Sequence, residues 1–299
     1  MELGAISFMT DTSIAPAELA RALEERGFES FWAGDHSHIP VDPDSAQAPI
    51  DTRTGRPMPA EYWHLLDPFL ALTAAVQATS RIRLGTGICL VNERDPITTA
   101  KQVATLDHLS GGRFVFGIGG GWNAREMRDH GADIAHRWPA MRERVEAMRC
   151  IWTQDVAEYH GTHVNFDPMM SRPKPVQWPH PPVLIGGNAR NIARVVDYAD
   201  GWCPGTPHLT DDELRAQFAE LRRRATERGR SDVTVTAFHV PPLAGLAPGS
   251  PVALGSRRWD LFAELAVDRV VIVLPPMRDD CLRMADYYAD TLLAGVSAG

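Results

Sequence analysis

The stretch RIRLGTGICLVNERDPITTAKQVATLDHLSGGRFVFGIGGGWN, residues 81–123, decides the fold. It opens on a short apolar run, Ile82 to Thr86, continues through a helical pattern from Ile97 to Leu109, and closes on a second run, Phe114 to Ile118. A strand, a helix and a strand at this spacing form a βαβ unit, whose crossover makes the two strands parallel. The same rhythm extends in both directions. Upstream lie a strand at Leu3 to Phe8, a helix at Ala15 to Arg26, a strand at Ser30 to Gly34 and a helix at Asp67 to Thr79. Downstream follow helix Pro139 to Trp152, strand Val183 to Ile185, helix Ala189 to Ala199, strand Gly201 to Cys203 and helix Asp211 to Arg228. Strand Val233 to Phe238, helix Arg258 to Ala266, strand Val270 to Leu274 and helix Asp279 to Leu293 complete the series. Eight strand and helix pairs predict an α/β chain folded as one (β/α)8 TIM barrel domain over residues 1–299. Two segments stand outside the rhythm: 41–64 after strand two, and 153–180 between helix four and strand five, where AEYHGTHVNF reads as a hairpin. Insertions of this length commonly form lids or pocket walls.

Composition narrows the function classes. With 299 residues, 44% of them apolar and 23% charged, the chain can bury a large core. A net charge of -8 argues against a partner that presents a phosphate backbone or an anionic lipid surface, so a small-molecule partner is expected. Cys89, Cys150, Cys203 and Cys281 are too widely spaced for a zinc framework or a CxxC pair. The first residues, MELGAISFMTDTS, lack a basic stretch before an apolar one, and no run approaches the roughly 18 apolar residues of a membrane span. A cytoplasmic protein with no membrane association is the expectation.

In a barrel of this kind the chemistry sits on the loops that follow the strands. Those loops read Gly34-Asp35-His36-Ser37-His38, Gly85-Thr86-Gly87-Ile88, Gly117 through Asn123 and Gly186-Gly187-Asn188. GIGGGWN is not a dinucleotide fingerprint, because Trp122 stands at the third glycine position and no acidic residue closes a second strand about 20 residues later. Backbone without Cβ atoms does let a flat ring or a phosphate approach closely. Gly186-Gly187, leading from a strand into a helix, suggests amide groups aimed at an anion. Histidine titrates near neutrality, so His36 at a strand end is the candidate proton donor or acceptor, with Asp35 beside it to hold its tautomer. The remaining histidines, at 64, 108, 130, 136, 160, 163, 180, 208 and 239, show neither HxH nor HExxH spacing, so no metal site is expected. No GxSxG elbow or Walker glycine-lysine pair is present.

Taken with FESFWAGDHSHIP at 28–40 and PHPPVLIGGNARNIARVVDYADGW at 179–202, these segments resemble the bacterial luciferase-like flavin and deazaflavin oxidoreductases, above all the coenzyme F420-dependent subgroup. The resemblance covers essentially the whole chain. It implies that Asp35 and His36 lie beside the cofactor ring, with His36 catalytic, and that Gly87-Ile88 forms a non-proline cis peptide under the ring. It further implies that Gly119, Gly120, Gly121 and Asn123, together with Gly186, Gly187 and Asn188, bind the phosphate-bearing tail. Where sugar-phosphate dehydrogenases of this superfamily carry a catalytic glutamate, this chain has Trp122, which points away from sugar phosphates. The substrate pocket is expected to be apolar and aromatic, built from His38, Trp63, His64, Trp122 and Trp202. The activity implied is hydride transfer between coenzyme F420 and a small neutral or hydrophobic compound, by a homodimer. An FMN-dependent monooxygenase and a catalytically silent flavin-binding protein are the alternatives.

Overall fold

The computed structural model describes residues 1–41, 49–51, 55–206, 209–239 and 256–293. Eight strands, β1 (Glu2–Ser7), β2 (Ser30–Ala33), β3 (Arg83–Thr86), β4 (Phe114–Gly119), β5 (Val183–Gly186), β6 (Gly201–Cys203), β7 (Thr234–His239) and β8 (Arg269–Leu274), pair in parallel in chain order. The barrel closes where β8 returns to β1, with Glu2 opposite Arg269. Each strand is followed by a helix: α1 (Pro16–Glu25), α2 (Pro68–Gln77), α3 (Pro96–Ser110), α4 (Arg137–Thr153), α5 (Ile192–Tyr198), α6 (Asp211–Glu227), α7 (Ser256–Glu264) and α8 (Arg278–Tyr288). The predicted (β/α)8 architecture is the one observed.

Local chemistry explains where the helices start. Proline opens α1, α2 and α3, where its missing N–H is no loss. Asp67 accepts from the amides of Phe69 and Leu70 to cap α2, and Asp95 accepts from Thr98 to cap α3. Gly111, with φ of 66°, ends α3 in the left-handed region. Thr210 and Glu213 form a reciprocal capping box on α6.

Two apolar layers hold the barrel. The larger lies between strands and helices and includes Trp202, which is fully buried with its ring 5.8 Å from that of Phe218 on α6. The inner layer is Trp32, Val115, Leu184, Cys203 and Val271, with Ile6 and Phe238 against it. Side chains alternate across a strand, so Cys203 pointing inward sends its neighbour Trp202 outward. The Trp32 indole donates to Ser30 Oγ at 2.9 Å and meets Phe238 edge-on at 5.5 Å. A Cβ at Gly85 would lie 2.3 Å from that indole, so this glycine makes room for the plug.

The segment after β2 is only partly described, 42–48 and 52–54 lying outside the described residues. Its visible parts are a two-residue ladder, Ile50–Asp51 with Arg56–Pro57, and a helical turn, Glu61–His64. An antiparallel bridge between Thr10 and Leu65, and an amide bond from Leu66 to Met9 at 2.9 Å, tie the turn to the loop after β1. The expected hairpin forms between Ala157–His160 and Asn165–Met169. Two short elements fall outside the sequence reading. Cys89–Leu90 adds a strand beside Ile118–Gly119, and Ala124–Asp129 forms a short helix after β4. Among the described residues, no helix is long and apolar enough to cross a membrane.

Candidate active site

A cavity of about 710 Å³ opens at the ends of β2 to β5. Its wall carries Asp35 and His36 from β2, Gly87 and Ile88 from β3, Gly119 to Trp122 from β4, and Gly186 to Asn188 from β5. A volume of this size suits a cofactor or a drug-sized ligand.

At one end the side chains are buried and paired. His36 Nδ1 lies 2.9 Å from both oxygens of Glu126, and the two side chains are only 8% and 0% exposed. The imidazole also packs against Tyr62 at 5.3 Å and meets Trp122 edge-on at 5.8 Å. Glu126 comes from the short helix Ala124–Asp129, whose first amides are capped by Asn123 Oδ1. Asp35 does not orient His36. Its Oδ2 accepts from Leu90 N and Arg94 Nε, both at 2.9 Å, and its Oδ1 accepts from Arg94 Nη2 at 2.7 Å. The same Nη2 donates to Asp67 at 3.0 Å. Asp35 is therefore a buried clamp that fastens the end of β2 to the segment after β3 and to the start of α2. Glu93, one residue before Arg94, is buried beside Glu126, and burial, followed by the charges of Glu126 and Asp35, pushes its pKa up to about 9. Burial and its acidic neighbours thus favour its protonated form.

Ile88 shapes the floor. The Gly87-Ile88 peptide is cis, as the resemblance implies. A Cβ at Gly119 or Gly186 would lie 2.5 or 2.4 Å from Ile88 Cδ1. Those two glycines are spaces for the isoleucine, a packing role that the reading of them as tail contacts did not contain. Gly34 differs. A Cβ there would meet protein only at 3.9 Å, so packing does not require glycine, and bare main chain is left on the cavity wall.

The other end is basic. Arg137, Arg190 and Arg194 line the cavity, and the Arg137 and Arg194 guanidinium carbons stand 4.8 and 4.1 Å from the Trp138 ring. Arg194 donates to Asn191 Oδ1 at 3.0 Å, while Asn191 Nδ2 donates to Gly186 O at 2.8 Å and braces the turn. Burial lowers the Arg194 pKa, against the pull of Tyr198 and with a smaller repulsion from Arg137. Among the described residues none of the three arginines has an ion-pair partner. The amide of Gly187 is not free for an anion, because it donates to Cys203 O at 3.1 Å. The positive charge at this end is carried by side chains.

Five residues assigned from the sequence are absent from the cavity wall. Asn123 is spent as a helix cap. His38 pairs with Asp129 at 3.1 Å, and His64 with Asp11 at 2.9 Å. Trp63 is 39% exposed and faces His64. Trp202 lies in the outer apolar layer, its indole donating to Gly187 O at 3.2 Å. Tyr62, Glu126, Glu93 and the three arginines were missed. A signal existed for Glu126 alone: Asn123-x-x-Glu126 reads as a capping box, yet the glutamate oxygens turn to His36. Among the described residues, no group of three histidine, cysteine or acidic side chains is placed to hold a metal.

Comparison with known proteins places this geometry in context. The sequence profile of a family described as luciferase-like monooxygenase matches residues 15–244. An uncharacterized protein of Mycobacterium tuberculosis is 40% identical over 283 residues, 94% of each chain. An FMNH2-dependent dimethylsulfone monooxygenase of Pseudomonas putida is 31% identical over 169 residues, 55% of this chain and 46% of that one. An F420-dependent secondary alcohol dehydrogenase, solved with an F420-acetone adduct, shares the fold with a TM-score of 0.74 at 19% identity over 98% of both chains.

Proposed function

The chain belongs to the luciferase-like monooxygenase family, and on that premise we propose that it is a coenzyme F420-dependent oxidoreductase acting on a small organic substrate. The observation that carries the reading is the cavity itself, with an oriented histidine at one end and, at the other, three arginines that have no ion-pair partner among the described residues. The residues fit such a cofactor. Bare backbone at Gly34 and the Gly87-Ile88 floor would take the flat ring, and Arg137, Arg190 and Arg194 would hold the anionic tail. When bound, a deazaflavin supplies a two-electron hydride donor or acceptor.

The protein's own part is orientation and proton handling. With Nδ1 held by Glu126, His36 keeps Nε2 for exchange, donating a proton to a substrate oxygen on reduction or accepting one on oxidation. Phe8, Tyr62, Leu65 and Trp122 line the cavity and favour a neutral, apolar substrate near His36. The arginine end admits a charged group only far along the same wall, and it is the part of the cavity that the tail would fill.

One comparison favours a second reading, an FMN-dependent monooxygenase, since a relative at 31% identity is named for that activity. The two differ in their use of oxygen. Reduced coenzyme F420, mixed with the protein and a panel of small ketones and unsaturated carbonyl compounds, is expected to be oxidised in a substrate-dependent way without oxygen uptake. Substrate-dependent oxygen uptake with FMNH2, and no turnover with F420, would establish the monooxygenase instead.

A further inference from the structure

Outside the cavity two histidines converge on one hydroxyl. Ser37 Oγ lies 2.9 Å from His38 Nδ1 and 2.6 Å from His130 Nε2, and none of these residues lines the cavity wall. On the opposite edge of its ring, His38 Nε2 lies 3.1 Å from Asp129 Oδ2. A carboxylate only accepts, so Nε2 carries the proton of the neutral imidazole and Nδ1 turns its lone pair toward Ser37. A histidine whose second nitrogen donates to a carboxylate is the arrangement met at metal sites, where the carboxylate fixes the tautomer and the direction of the ring. The spacing of the rings agrees. The His38 and His130 centroids are 5.3 Å apart and the rings are tilted by 53°. Two imidazoles on one tetrahedral ion have ring centres about 5 Å apart, since each nitrogen stands about 2 Å from the ion.

Ser37 and His38 belong to the loop after β2, while Asp129 ends the short helix after β4 and His130 follows it. Those two segments are already joined by the buried contact of His36 with Glu126, and by Arg125 Nη2 donating to Val41 O at 2.8 Å. The fold therefore presets the donors, although Ser37 and His130 are 93 positions apart. The side chains of His38 and Asp129 are 39% and 51% exposed, so an ion can enter from solvent and water can complete its shell. We infer that His38 Nδ1 and His130 Nε2, with the Ser37 hydroxyl between them, bind a divalent transition ion, and that Asp129 orients His38 toward it. Two imidazole nitrogens and one hydroxyl oxygen suit zinc, cobalt or nickel, whereas magnesium and calcium take shells of oxygen. The inference stands apart from the choice of cofactor. An ion at this place would fasten the loop that carries His36 to the helix that carries Glu126.

The test is a calorimetric titration of zinc into the untagged chain after treatment with a chelator. The parent is expected to bind a single equivalent and to keep it in a large excess of magnesium. Binding should be lost in His130→Ala and weakened roughly ten- to hundredfold in Asp129→Asn, the usual effect of removing the carboxylate behind a metal-bound histidine. His163→Ala serves as the control, because His163 and His136 form another histidine pair, with ring centroids 5.8 Å apart, and it should bind zinc as the parent does. In nitrogen-15 NMR of the parent, zinc should move the ring signals of His38 and His130 more than those of any other histidine. Absence of zinc binding, displacement of zinc by magnesium, or undiminished binding in His130→Ala overturns the inference and leaves the cluster a hydrogen-bonded strap. Loss of binding in His163→Ala would overturn it equally, by placing the ion elsewhere. Should a variant fail to fold, the histidine signals of the parent decide alone.

Discussion

The two ends of one cavity solve opposite electrostatic problems. Around His36 the charges have partners within the protein, Asp35 and Asp67 on Arg94 and Glu126 on His36, while burial pushes Glu93 toward its protonated form. At the far end Arg137 and Arg194 stack on Trp138, Arg190 lines the same wall, and among the described residues none of the three has an ion-pair partner. A buried charge without a partner is costly, so the first arrangement is what an apolar pocket needs to keep titratable groups at all. The second leaves positive charge in waiting, which is how a protein attracts an anion it does not itself supply. On the proposed function, the contrast separates residues that would set a proton from residues that would hold a ligand.

Substitutions can break that contrast. His36→Ala should lower turnover by on the order of 10² to 10⁴, the usual contribution of a general acid or base, while cofactor affinity stays within a few-fold. Steady-state rates and a fluorescence titration on one preparation check both halves, and normal turnover would remove His36 from the chemistry. Arg94→Ala strands Asp35 and Asp67 and should cost about 3 to 5 kcal/mol of stability, read by denaturant unfolding, because it leaves a buried carboxylate uncompensated. Arg190→Ala should do the reverse. Removing one charged hydrogen-bond donor to an anion is worth about 1.5 to 3 kcal/mol, roughly a ten- to hundredfold loss of cofactor affinity with little change in unfolding. Smallest is a matched glycine pair. Gly34→Ala is expected to weaken cofactor binding several-fold with little change in melting temperature, whereas Gly186→Ala, driven to 2.4 Å from Ile88 Cδ1, should lower the melting temperature itself. Gly187→Val is a poor probe of binding alone, because φ of 111° and an approach of 2.6 Å to Asn191 Nδ2 predict that it would also destabilise the turn.

The barrel was legible because its evidence is periodic and repeated eight times, so an error of two residues at a helix end changes nothing. The site was legible only where it follows the strands. His36, Trp122 and the glycine segments reach the cavity because strand ends carry them there. Neighbours in sequence misled: Asp35 is adjacent to His36 but turns to Leu90 and Arg94, while the carboxylate that holds His36 arrives from 90 positions away. Trp202 failed for a simple geometric reason, since alternation along β6 sends it out of the barrel when Cys203 faces in. The basic end had no signal at all. In a chain where arginine makes up nearly all of the basic residues, nothing in the spacing of Arg137, Arg190 and Arg194 separates them from those on the surface.

The most direct test of the two-ended cavity is a side-by-side titration of coenzyme F420 and FMN into the parent and into the Arg190→Ala, Arg194→Ala double variant. The account predicts tighter binding of F420 to the parent, an affinity that falls as salt rises, and a loss of at least tenfold in the double variant with the His36 NMR titration unmoved. Equal or tighter binding of FMN, or F420 affinity indifferent to both arginines, would contradict it.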